Sequence, residues 1–107
     1  MFLKDELNHI FPNDFQNILL QKEIIIIDIR EPYELLQLPY KRGINIPMNE
    51  LINNYESYLK KDKTYYILCH HGQRSYLVTE FLHRKGFDVI NVVGGVDLVN
   101  RFDSSKI

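Results

Sequence analysis

The sequence predicts an α/β domain with a central, mostly parallel five-stranded sheet covered by helices on both faces. Two observations carry this. The runs Glu23-Ile24-Ile25-Ile26-Ile27-Asp28-Ile29 and Tyr65-Tyr66-Ile67-Leu68 are almost wholly apolar and rich in β-branched or aromatic residues. Such runs suit strands buried on both faces, as in parallel sheets. Strand patterns also alternate with helical ones from residue 9 to residue 102, which is the order of βαβ units.

In chain order, His9-Ile10-Phe11 reads as a short edge strand. Pro12 then fits a first helical turn, and Phe15, Ile18 and Leu19 recur at helical spacing, predicting a helix over 12–21. The isoleucine run follows as a strand over 23–29. Glu31-Pro32 opens a short helix through about Leu36, and 37–43, with Pro39 and Gly43, is a loop. Ile44-Asn45-Ile46 alternates as a strand and stops at Pro47. One or two short helices are expected over 48–60, around Leu51, Ile52, Tyr55 and Leu59. Lys60-Lys61-Asp62-Lys63 is a solvated connection before the strand at 65–68. Leu77, Val78, Phe81 and Leu82 then follow helical spacing, and Gly86 ends that helix. Val89-Ile90-Asn91-Val92 is a further strand. Gly94-Gly95 breaks the chain before a last helix over Val96, Leu98, Val99 and Phe102.

The bulk properties narrow the class. The 107 residues suit one domain, 1–107 with a core over about 8–102, and exceed the ~40 residues below which staples are usually needed. Hydrophobic residues make up 45% and charged residues 25%, an ordinary globular balance. A net charge of −1 and scattered basic pairs argue against nucleic-acid or anionic-membrane partners. No apolar run approaches the length of a membrane span. The start, Met1-Phe2-Leu3-Lys4-Asp5-Glu6, turns acidic too early for a secretory signal. With a single cysteine there is no internal disulfide. A cytoplasmic location is expected.

That cysteine, Cys69, lies where the second strong strand ends, and ligands of open α/β sheets gather at the carboxyl ends of strands. Arg74 follows after a tight loop, at the start of the predicted helix. Gly72 supplies a position free to take positive φ. A loop curled over a helix N-terminus turns backbone N–H groups inward and makes an anion-binding concavity. Helix N-termini and nearby cations lower thiol pKa values from ~8.5 into the range ~3.5–7.5, so a nucleophilic thiolate is expected. Ser75 is positioned to cap the helix or donate to the sulfur. The competing reading of a lone cysteine is a small core residue; Gly72, Arg74 and the immediate helix weigh against it. His70 and His71 are adjacent in a tight loop and lack further ligands at metal-site spacing, so they are read as lining the pocket mouth, with no metal or cofactor expected. His9 and His83 read as ordinary surface or packing residues. Asp28 and Arg30, at the end of the first strong strand, are supporting residues. Asp28 is expected to anchor Arg74 or another loop donor, and Arg30 to pair with Glu31 or Glu34.

Several blocks together resemble the rhodanese-like domain family. They are Asp28-Ile29-Arg30-Glu31-Pro32-Tyr33-Glu34, Gly43-Ile44-Asn45-Ile46-Pro47, the loop Cys69-His70-His71-Gly72-Gln73-Arg74-Ser75, Gly86-Phe87-Asp88-Val89 and Val93-Gly94-Gly95-Val96. The resemblance implies a three-layer fold. It implies a sulfurtransferase in which Cys69 takes a sulfane sulfur from thiosulfate or another persulfide donor. Cys69 would carry it as a persulfide and pass it to cyanide, a thiol or a protein cysteine. The chain departs from the family at Leu38-Pro39-Tyr40-Lys41-Arg42-Gly43, where a Gly-His-Ile-Pro-type segment is common. Relatives that cleave phosphate esters or reduce arsenate carry a loop one residue longer between Cys and Arg, which makes room for a tetrahedral oxyanion. The loop here is the shorter, sulfur-sized one, and it offers no general acid for a phosphatase. The other alternative is a non-catalytic binding module, against which the intact cysteine argues.

Overall fold

The computed structural model describes residues 7–102; the acidic start read at residues 1–6 lies outside them. The elements are β1 (Asn8–Ile10), α1 (Pro12–Gln21), β2 (Ile25–Asp28), α2 (Pro32–Gln37), β3 (Ile44–Asn45), α3 (Met48–Tyr58), β4 (Thr64–Leu68), α4 (Gln73–Arg84), β5 (Asp88–Val92) and α5 (Gly95–Arg101). The five strands form one sheet in the order β1-β5-β4-β2-β3, and every neighbouring pair is parallel.

The sheet divides the core in two. On one face Ile27, Ile67 and Val89 pack with Leu51 and Leu59 from the α3 region and Val78 and Leu82 of α4. On the other, Ile26, Tyr66, Leu68 and Val92 pack with Phe15 of α1 and Val96 and Val99 of α5. Ile27 and Ile67 are register partners with only 2% and 0% of their surface exposed. Burying a side chain of this size is worth about 1.5–3 kcal/mol, so the two unbroken apolar runs specify the centre of the sheet.

Differences from the sequence reading are local. The β2 ladder begins at Ile25, opposite Tyr65, so Glu23 and Ile24 precede it. The helical segment at 48–58 is bent at Asn54, whose φ of −137° and ψ of 30° are not helical; its Nδ2 instead donates to the Glu50 carbonyl and carboxylate. The short helix α2 is fixed by a capping box in which the Glu31 N–H donates to Glu34 Oε2 at 2.8 Å and the Glu31 side chain accepts from the Glu34 backbone N–H.

The carboxyl edge of the sheet is built around one buried ion pair. Asp28 and Arg30 are both fully buried. Arg30 Nε donates to Asp28 Oδ1 at 3.0 Å, its Nη2 to Asp28 Oδ2 at 2.8 Å and its Nη1 to the Leu38 carbonyl at 2.8 Å. Arg30 therefore pairs with Asp28, not with Glu31 or Glu34, and Asp28 does not anchor Arg74. The reason is spacing: in extended chain, residues two apart project to the same side, and two charges removed from water must find each other. The segment that departs from the family pattern takes part here, because Leu38 supplies the carbonyl that closes the guanidinium's shell. Asn45 Nδ2 then bridges the Asp28 and Arg30 carbonyls, at 2.9 and 2.8 Å, joining β3 to the end of β2.

Breaking a buried pair by removing one charge costs about 3–5 kcal/mol. Asp28→Asn is expected to lower the unfolding free energy by about that amount, measured by urea denaturation at pH 7, whereas the apolar double variant Asp28→Leu/Arg30→Met loses much less. A loss below about 1 kcal/mol for Asp28→Asn, the scale of a surface pair, would remove this ion pair as the anchor of the edge.

Candidate active site

Cys69 follows the last residue of β4, which is paired on both sides and cannot shift. Its thiol is almost fully buried, at 1% exposure. The chain turns at once through His70 and His71 to Gly72, whose φ of +97° only glycine adopts without strain. A Cβ on Gly72 would also lie 2.8 Å from the Gly94 backbone nitrogen. The turn brings the Gly72 N–H to Cys69 Sγ at 3.1 Å and the Ser75 N–H to the same sulfur at 3.3 Å. Ser75 is the third residue of α4, and the residue at that helix's N-cap, Gly72, has no side chain to cap it. One of the free N–H groups at a helix start is normally taken by a capping oxygen; here the Cys69 sulfur takes it.

The opposite side of the loop is held by α5. The Val96 N–H donates to the Cys69 carbonyl at 2.8 Å and the Asp97 N–H to the His70 carbonyl at 3.1 Å. Gly95, with φ of +64°, lets α5 come this close, since a Cβ there would collide with both carbonyls. The first two carbonyls of the loop thus point to α5, while the N–H groups of Gly72 and Ser75, from later peptide units, reach the sulfur.

Behind the sulfur runs a buried polar chain. The Cys69 thiol donates to Ser75 Oγ at 3.3 Å, and the Ser75 hydroxyl donates to Asn91 Oδ1 at 2.6 Å. Asn91 Nδ2 lies 3.1 Å from His9 Nδ1. Ser75 is fully buried and Asn91 nearly so. The sequence predicts that Ser75 caps the helix or donates to the sulfur; it lies one turn too late to cap, and its hydroxyl accepts from the thiol because its own proton goes to Asn91. Asn91 carries no site prediction from the sequence, and His9, expected as an ordinary surface or packing residue, joins the chain. The available signal was a polar Asn inside the apolar run Val89-Ile90-Asn91-Val92. His9 has no such signal, because it reaches Asn91 only through the β1–β5 register.

At the loop mouth Arg74 is gripped by Glu34 of α2. Its Nη1 donates to Glu34 Oε2 at 2.8 Å and its Nη2 to Oε1 at 2.7 Å. The guanidinium hydrogen-bonded to both oxygens holds the Glu34 carboxyl down at about 2, from an ordinary 4.5. The same hydrogen bonds, with a smaller attraction from Cys69, raise the Arg74 pKa. His70 and His71 stack with ring centroids 3.9 Å apart, and His71 Nδ1 lies 4.0 Å from Asp97 Oδ2. Among the described residues, no group of three or more His, Cys, Asp or Glu is placed to hold a metal ion. No helix among them is long and apolar enough to cross a membrane.

Comparison with known proteins agrees with this fold. A family model described as Rhodanese-like domain matches residues 11–101. The chain is 33% identical over 81 residues to YtwF of Bacillus subtilis (strain 168), covering 76% of this chain and 78% of that protein. It is 32% identical over 82 residues to a protein named Sulfurtransferase from Allochromatium vinosum, covering 76% of each. Among solved structures, the Rhodanese-like Domain Protein from Staphylococcus aureus superposes with a TM-score of 0.79 at 33% identity, over 87% of this chain and 91% of that one.

A carboxyl whose pKa is depressed by folding contributes stability above its unfolded value and loses it as pH falls through the folded value. For Glu34 that window runs from 4.5 down to about 2. Arg74 is partly solvated, so Glu34→Gln is expected to cost about 1 kcal/mol at pH 7. The gap to the unsubstituted chain should narrow as pH falls through the window. Urea unfolding at pH 7, 4.5 and 2.5 measures it; a gap unchanged at the lowest pH would mean that the carboxylate charge is not its source.

Proposed function

The chain belongs to the rhodanese-like domain family, and from that premise we propose that it is a sulfurtransferase that carries sulfane sulfur on Cys69 between a persulfide-type donor, such as thiosulfate, and a thiophilic acceptor. The observation that carries the reading is the pair of N–H groups, from Gly72 and Ser75, converging on Cys69 Sγ. Relatives named as sulfurtransferases support the class.

The step follows from the site. The Cys69 thiolate attacks the outer sulfur of thiosulfate. A sulfur–sulfur bond forms, the one in thiosulfate breaks, and its electron pair leaves with sulfite. The outer sulfur of the resulting persulfide is then attacked by cyanide or a thiolate. The new sulfur–sulfur bond breaks and its pair returns to Cys69. Both half-reactions place negative charge on sulfur inside the loop, where fixed N–H dipoles in a water-poor site stabilise it without reorganising. Cys69 itself is almost fully buried, so its Sγ meets little bulk water. His70, His71 and Gln73 lie in the loop around the entrance, and Arg74 gives the entrance its cation. The short loop fits a sulfur atom better than a phosphoryl group, and so favours this chemistry over that of a cysteine phosphatase or arsenate reductase.

Intact mass spectrometry after incubation with thiosulfate tests this. We expect a gain of one sulfur atom, reversed by cyanide and absent in Cys69→Ser. No adduct with any small sulfane donor, together with hydrolysis of an aryl phosphate, would overturn it. Arg74→Ala is expected to raise the thiosulfate concentration needed for half-loading by about tenfold, the scale of one charge-assisted hydrogen bond, while the chain stays folded. Unchanged loading would take the donor-binding role away from Arg74.

A further inference from the structure

We propose that His9 is a positioning residue for Cys69, acting through Asn91 and Ser75 to set the direction in which the Ser75 hydroxyl donates. The proposal rests on Cys69 being the reactive sulfur.

The four groups form one line from the thiol to the sheet edge. His9 and Asn91 are register partners on β1 and β5, with their side chains 3.1 Å apart. The Asn91 amide reaches Ser75 on α4 at 2.6 Å, and Ser75 meets the sulfur at 3.3 Å. The His9 ring is also stacked on Tyr76, with centroids 5.5 Å apart, so its place is held independently of the hydrogen bond. Among the described residues, the charged or titratable groups near this line include Tyr76 and Arg74 on α4, with Arg74 bound to Glu34 of α2, and His70 and His71 in the loop.

A serine hydroxyl has one proton, and a carboxamide has one accepting and one donating end. With a thiol, donation runs outward. Cys69 donates to Ser75, Ser75 to Asn91 Oδ1, and Asn91 Nδ2 to His9 Nδ1, which leaves the imidazole proton on Nε2. A thiolate can only accept. For Ser75 to donate to it, the chain has to reverse: Asn91 Nδ2 turns to Ser75 Oγ, and Asn91 Oδ1 accepts from a proton on His9 Nδ1. A neutral imidazole meets that demand by carrying its proton on Nδ1 instead of Nε2, with no net proton gained. The thiol proton itself leaves to solvent. The reversed chain adds a third donor to the two backbone N–H groups on the sulfur whenever the thiolate forms, including when the persulfide discharges.

The test uses the fact that the chain has one cysteine, so alkylation reports Cys69 without background. Nitrogen-15 NMR of the His9 ring is followed through the ionisation of Cys69 and in Cys69→Ser, which cannot ionise in that range. We expect a proton on Nε2 in Cys69→Ser and in the thiol form, moving to Nδ1 as the thiolate appears. In parallel, iodoacetamide alkylation is measured against pH. His9→Phe keeps an aromatic ring on Tyr76 but has no Nδ1; it should move the midpoint of the alkylation pH profile up by about half to one pH unit, the worth of one hydrogen bond. His9→Asn places an amide near the Nδ1 position, able to donate or accept, and should keep that midpoint within about 0.3 pH units of the unsubstituted chain, less than that bond is worth. The same His9 tautomer in every state, or equal effects of His9→Phe and His9→Asn, would overturn the proposal. If His9→Phe fails to fold, the tautomer measurement on the unsubstituted chain decides. No sulfur donor is used, so failure here is separable from failure of thiosulfate loading.

Discussion

Two hydrogen bonds from the start of α5, Val96 N–H to the Cys69 carbonyl and Asp97 N–H to the His70 carbonyl, decide what the loop after β4 can do. A peptide unit exposes its oxygen on one side and its N–H on the other. By holding these two oxygens outward, α5 anchors the peptide units that carry the His70 and His71 N–H groups, and from that anchored start the turn through Gly72 brings the amides of Gly72 and Ser75 to the sulfur. The turn depends in turn on Gly72 and Gly95, both at positive φ, and on the close approach that a missing Cβ allows. The Gly94-Gly95 break, far from Cys69 in sequence, is thus part of the cysteine's environment.

Each arginine at the carboxyl edge is held by a carboxylate, Arg30 by Asp28 and Arg74 by Glu34. The buried pair shapes the edge, and the half-exposed pair ties α2 to the first turn of α4. Negative charge arriving on Cys69 is therefore met first by backbone dipoles, which cost little to keep because they are set by the fold itself. Ser75, Asn91 and His9 extend this polar environment behind the sulfur, across α4, β5 and β1. Such a chain is stable in a buried setting only if each member is satisfied, which fixes Asn91 in the middle of an otherwise apolar strand.

Most of the fold was legible because each element carries its own local signal. The isoleucine run at 24–27 and the Tyr65–Leu68 run fit buried strands by their length and β-branched or aromatic content, and Pro12, Pro32, Gly86 and Gly94 mark where helices begin or end. The cysteine loop was legible as a short motif between strand and helix. What could not be read were partnerships across sequence distance. Glu34 and Arg74 are forty positions apart, and the expectation that Asp28 anchors Arg74 or another loop donor gives way to its pairing with Arg30 because a sequence does not show which side chains share a buried edge. Asn91 and His9 join the site only through strand register, and β1 is too short to declare its register from composition. The bend at Asn54 was half visible, as the uncertainty between one helix and two over 48–60.

The most direct test of the central claim is a crystal structure of the protein after reaction with a sulfane donor. The account predicts extra density for one sulfur bonded to Cys69 Sγ, lying within the loop and accepting hydrogen bonds from its backbone N–H groups, with the Val96 and Asp97 N–H groups still on the Cys69 and His70 carbonyls. A persulfide turned out of the loop, or a loop whose carbonyls have rotated inward toward the sulfur, would contradict it.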